Sequence, residues 1–82
     1  MSAHQPPIPR YRLHIFDGTY EVLHHRTYVV TLDLNAPGFG SVLDRHLQQL
    51  TREAVTANEP MDAPRLEVRD LAGNKVLDWT GA

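Results

Sequence analysis

The chain contains no cysteine, and that one absence removes disulfides, thiolate nucleophiles and cysteine-ligated zinc or iron–sulfur centres. Lysine is nearly missing too: Lys75 stands alone against seven arginines, a ratio that follows GC-rich codon usage and carries no functional meaning. No apolar run approaches the length that crosses a bilayer, and the opening MSAHQPPIPR has no apolar core of a secretory signal. A soluble, cytoplasmic protein is the resulting expectation. Nor is there an excess of positive charge, since the formal net charge is -2, which argues against a general polyanion binder. Protonating all five histidines would add five charges and reverse the sign to +3.

What is present suffices for one small core. With 82 residues, 41% of them hydrophobic and 22% charged, the chain has the composition of a globular domain. Without disulfides, so short a chain relies on packing and often on a partner chain. Pro6, Pro7 and Pro9 keep residues 1–9 out of a helix and predict a flexible, proline-rich arm ahead of a domain over 10–82.

RYRLHIF and TYEVLHH flank Asp17-Gly18, a strong hairpin signal. A two-residue turn there sets Phe16 opposite Thr19, Ile15 opposite Tyr20, Leu13 opposite Val22 and Tyr11 opposite His24, gathering apolar residues on one side. The opposite face then carries Arg10, Arg12, His14, Phe16, Glu21, Leu23 and His25. TYVVTLDL continues the alternation, with Tyr28, Val30, Leu32 and Leu34 on the apolar side and Val29 on the other. No Gly, Pro, Asn or Asp marks a turn at residues 24–26, so one long, bulged strand over 20–34 is favoured over two strands.

The breaker cluster NAPGFG precedes a stripe of Leu43, Leu47, Leu50, Ala54 and Ala57, which predicts a helix over 41–57. Ser41 and Asp44 resemble a capping box, and Asn58 with Pro60 ends the helix. RLEVRD and KVLDW then flank Leu71-Ala72-Gly73-Asn74 as a second hairpin, with Val68 opposite Leu77 and Leu66 opposite Trp79. Arg65, Glu67, Arg69 and Asp78 fall on its other face. The predicted fold is α+β: an antiparallel sheet of four to five strands with one helix packed on one face.

Pro9-Arg10-Tyr11, the Asp17-Gly18 turn and Val68-Arg69-Asp70-Leu71-Ala72-Gly73 resemble a family of small uncharacterised bacterial domains that begin Pro-Arg-Tyr, turn at Asp-Gly, contain one helix and end in a hairpin. The resemblance implies layout only, because that family carries no established activity. The stretch from Thr27 to Gly40 departs from its pattern.

The chemistry is sparse. On a regular strand His24 and His25 point to opposite faces and do not share an ion; a zinc site from His14, His25 and Glu21 needs a bulge and meets nearby arginines. His46 lies at the margin of the helix stripe, and reads as a boundary residue. Ser41, Asp44 and His46 have the residue types of a triad, but Ser41 and His46 are five apart on one helix. Gly38-Phe39-Gly40-Ser41 lacks the lysine of a Walker loop. Neither a catalytic site, a metal site nor a cofactor is expected. The leading expectation is a non-enzymatic protein-interaction module, homodimeric or bound to a larger protein through a sheet edge or the second face. Its candidate binding residues are Arg10, Arg12, His14, Phe16, Glu21, Leu23, His25 and Val29, with apolar Phe16, Leu23 and Val29 left in water by a monomer. A phage or mobile-element protein acting on a host factor fits these features. The alternative is a nucleic-acid binder that uses the arginine, histidine and aromatic residues of the first hairpin.

Overall fold

The helix stripe buries as its spacing requires: Leu43, Leu47, Leu50 and Ala54 all leave solvent. The computed structural model describes residues 8–59 and 62–80; most of the proline-rich arm, residues 1–7, lies outside the described residues. Pro9, just ahead of the first strand, accepts the Leu32 N–H on its carbonyl at 3.1 Å. The elements are β1 (Arg10–Asp17), β2 (Tyr20–Val22), β3 (Tyr28–Thr31), α1 (Phe39–Thr56), β4 (Pro64–Arg69) and β5 (Lys75–Trp79). They form a five-stranded antiparallel sheet in the order β2-β1-β4-β5, with β3 also paired to β1 and the helix against one face. The core joins Leu13, Ile15, Val22, Leu66 and Val68 of the sheet to the helix stripe. Among the described residues, no helix is long and apolar enough to cross a membrane.

The first hairpin forms with a register two residues from the expected one. Asp17 pairs with Tyr20 and Ile15 with Val22, so the turn is centred on Gly18-Thr19. Gly18 takes the first turn position at φ +61, a conformation L-residues avoid. Asp17 stays in the strand because its carboxylate accepts the backbone N–H groups of Asp62 and Ala63, at 3.3 and 2.9 Å. A shift of two preserves the side-chain alternation, so the apolar face survives. Tyr20, expected in the core, is 60% exposed beside the turn.

The long strand does not form. It breaks at residues 23–27 into β2 and β3, which follow each other along one edge of β1. Extending the β2 register would set Leu13 opposite His24; Tyr28 stands there instead, so four residues are looped out. An even number keeps Tyr28 and Val30 on the helix side. Leu23 makes the break by adopting φ +54, and its carbonyl accepts the Arg26 N–H at 2.9 Å. Its side chain enters the core at 1% exposure, and this burial holds a leucine in the left-handed region.

The helix starts two residues early, at Phe39, with Gly38 as an N-cap that offers no side chain. The capping box of Ser41 and Asp44 is absent because Trp79 organises this end. Its ring lies 5.9 Å from Phe39 and its Nε1–H donates to Asp44 at 2.8 Å. Gly40 admits that ring closely, since a Cβ there would sit 3.1 Å from it. At the other end Asn58, at φ +62, closes the helix as expected. Asn58 N–H reaches the Val55 carbonyl at 3.1 Å and Glu59 N–H the Ala54 carbonyl at 2.8 Å, a Schellman arrangement. The second hairpin takes the expected register, Val68 with Leu77 and Leu66 with Trp79, with a bulge between Val68 and Arg69. Asp70 organises its turn by accepting the Ala72 and Asn74 N–H groups at 3.0 and 2.9 Å.

Candidate interaction surface

β1 is the centre of the second face, because it is paired on both edges and alternates Tyr11, Leu13 and Ile15 toward the helix with Arg10, Arg12, His14 and Phe16 away from it. The register with β4 then decides each residue's neighbours. Phe16 lies opposite Arg65, whose guanidinium carbon sits 4.5 Å from the ring centroid, with that of Arg69 at 6.0 Å. Arg65 is held there from several sides: its Nε and Nη2 donate to the Gly18 carbonyl at 3.2 and 3.1 Å, and its Nη1 to Glu67 at 3.0 Å. Asp78 adds an ion pair to Arg65, and Lys75 contacts Asp78 at 2.8 Å.

Phe16 is consequently 8% exposed rather than open to water. Glu67, at 7%, is the buried acid of this layer, clamped by Arg65 and Arg69. Burial pushes its carboxyl up, but the hydrogen bonds and charges of the two guanidiniums outweigh burial and leave it below its ordinary value. His14 and Glu21 form a pair of their own, Nδ1 to Oε2 at 2.8 Å.

The eight expected binding residues therefore separate. Leu23 belongs to the core and Phe16 lies beneath a guanidinium, so neither is an exposed apolar contact, and of the three apolar residues expected on the second face only Val29, at 45% exposure, is open. His14 and Glu21 satisfy each other. His25 sits in the 23–27 turn with His24, both exposed, their rings 5.8 Å apart and nearly perpendicular. In a turn the two histidines are not confined to opposite faces, but among the described residues no three His, Asp or Glu gather as a metal site would need. Arg10 and Arg12 remain exposed, without an ion-pair partner among the described residues. Arg12 is the cross-strand partner of Val29 on one side and Arg69 on the other, and Arg69 is the partner of Lys75. The second face is thus basic near the start of β1 and mixed near the first turn.

The clefts lie elsewhere. One of about 270 Å³ is lined by Arg26, Gln49, Arg52, Glu53, Thr56 and Ala57. Beside it Tyr28 O–H donates to Glu53 at 2.7 Å, and burial, then that bond, raises the phenol's pKa. A second, about 240 Å³ and mostly apolar, lies between Leu32 and the helix start at Phe39 and Val42. His46 borders a third with Tyr28 and Gln49; burial, then the charge of Arg45, lowers its pKa. Asp44 faces Trp79 rather than His46, so the triad residue types of the helix do not assemble.

Sequence reasoning missed the Arg65–Phe16 stack and the burial of Glu67, since both depend on β4 pairing with β1 across more than 45 residues, a register no local pattern encodes. No family model matches the chain, and no curated protein or solved structure does either.

Proposed function

We propose that this protein is a small non-enzymatic interaction module that self-associates through the outer edge of β5. The observation that carries the reading is the contrast between the two sheet edges. On one side the 23–27 turn divides the edge into β2 and β3, and a turn that interrupts an edge blunts strand addition. On the other, β5 offers five residues, bulged at Val76, whose outer backbone groups have no partner strand among the described residues, and Val76 itself is 46% exposed. Lys75, the residue type that guards edges, is neutralised there by Asp78.

A second β5 running antiparallel, centred on Leu77, sets Leu77 against its own copy and Lys75 opposite Trp79. The result is one sheet across both chains, an isologous contact. A cysteine-free domain of this size gains stability from such pairing.

Light scattering across about 1 to 200 µM tests it. A mass of twice 9.3 kDa is expected, and Val76→Lys should return the single-chain mass without unfolding the protein, since Val76 is exposed. β5 carries no histidine, so the dimer should persist near pH 5.5, where unperturbed histidines charge. A wild-type monomer throughout, or a Val76→Lys dimer, would remove the β5 reading.

A further inference from the structure

We infer that the basic end of the second sheet face is a docking site for an extended acidic peptide segment of another protein, held by Arg10 and Arg12 with Arg69 and Lys75 beside them. This rests on the reading of the protein as an interaction module, but its main contacts, Arg10 and Arg12, lie on β1 and not on the β5 edge. Arg12, Arg69 and Lys75 are successive cross-strand partners, so three cations stand abreast on adjacent strands. Like charges directly opposite one another destabilise a sheet. Arg69 and Lys75 are compensated by Glu67 and Asp78, whereas Arg10 and Arg12 have no ion-pair partner among the described residues.

The geometry suits a strand-like ligand. Arg10 and Arg12 are alternate residues of β1, so they project from the same face roughly 7 Å apart, the spacing at which an extended peptide presents carboxylates on alternate residues. Each guanidinium can take a carboxylate through two parallel hydrogen bonds. Val29, opposite Arg12 and exposed, and Thr31, opposite Arg10, supply an apolar and a small polar contact alongside.

A nucleic acid fits less well. Single-strand binders stack bases on exposed rings, and here Phe16 lies beneath Arg65 while Tyr11 packs on the helix side. A continuous phosphate backbone crossing the face would also leave the arginines for a region where the cations Arg65, Arg69 and Lys75 are already paired with Glu67 and Asp78.

Fluorescence anisotropy at low salt tests the site with three labelled probes: a short peptide alternating glutamate and threonine, its glutamine counterpart, and a short oligothymidine. Wild-type protein should bind the glutamate peptide and not the glutamine one. Arg10→Ala with Arg12→Ala should weaken binding at least about tenfold, the size expected for losing a charged hydrogen-bond contact. The helix variant Arg45→Ala with Arg52→Ala should stay within about twofold, because a remote exposed charge acts only through screened long-range attraction. Arg10→Gln with Arg12→Gln, which keeps the aliphatic stems, replaces the alanine pair if that pair unfolds. No glutamate-peptide binding at about 1 mM, equal losses from the two arginine pairs, or tighter oligothymidine binding lost with Arg10 and Arg12 would each overturn the acidic-peptide site. Light scattering on the same samples reads the dimer separately, so a failed peptide site with an intact dimer is distinguishable from failure of the β5 edge.

Discussion

Replacing Arg65 tests whether the second face is closed by its own side chains. The guanidinium stacks on Phe16 at 4.5 Å, donates twice to the Gly18 carbonyl and pairs with Glu67. Its pair with Asp78, a side chain 40% exposed, is screened and counts for little. The stack contributes about 0.5–1 kcal/mol. The bonds to Gly18 add about 1 kcal/mol together, and loss of one cation from buried Glu67 about 1–2 kcal/mol more. Arg65→Ala should therefore cost about 2.5–4 kcal/mol, a large share of the roughly 5–15 kcal/mol that small domains possess. Arg65→Lys keeps a charge near Glu67 but loses the planar fork, and should cost about half as much. Urea unfolding followed by circular dichroism reads both, at one fixed concentration because of the expected self-association. A double-mutant cycle with Phe16→Leu should return about 0.5–1 kcal/mol of coupling. An Arg65→Ala change below about 0.5 kcal/mol with no coupling to Phe16 would refute the stack and restore Phe16 as an open apolar contact.

Three further outcomes follow from the same geometry. Leu23→Ala should cost about 2–4 kcal/mol in the same urea assay, as buried leucines do, while Val29→Ala stays within about 0.5 kcal/mol, although both alternate onto one strand face in the sequence. Asn58→Gly should leave stability unchanged or raise it by a few tenths of a kcal/mol, and Asn58→Ala should lower it by about 1 kcal/mol, because φ +62 strains an alanine. Glu67 sets an acid limb. Its folded pKa is depressed, so its stabilisation is complete above the unfolded value of roughly 4.3 and is lost as pH falls through the lower folded value. Thermal melts from about pH 6 to 3 should show that loss, and Glu67→Gln should flatten it; an unchanged slope would mean the carboxyl is not clamped.

Local pattern alone determined much of this protein. The 3.6-residue stripe from Leu43 to Ala54, the αL stop at Asn58, the second hairpin's register and the α+β class depend on residues close in sequence, whose periodicity and backbone preferences are readable without a fold. Tertiary structure decided the rest. The first turn moved by one residue because Asp17 is occupied by Asp62 and Ala63, far along the chain. The helix began at Phe39 because Trp79 packs on Gly40 and bonds Asp44, overriding a local cap. Leu23 broke the strand at a position without any turn residue, since core burial can hold a leucine at positive φ. Phe16 was covered, and Arg12 aligned with Arg69, by the β1–β4 register. That register joins segments about 50 residues apart through burial of Leu66 and Val68 against Leu13 and Ile15, so which cations remain free on the second face is a property of the assembled sheet.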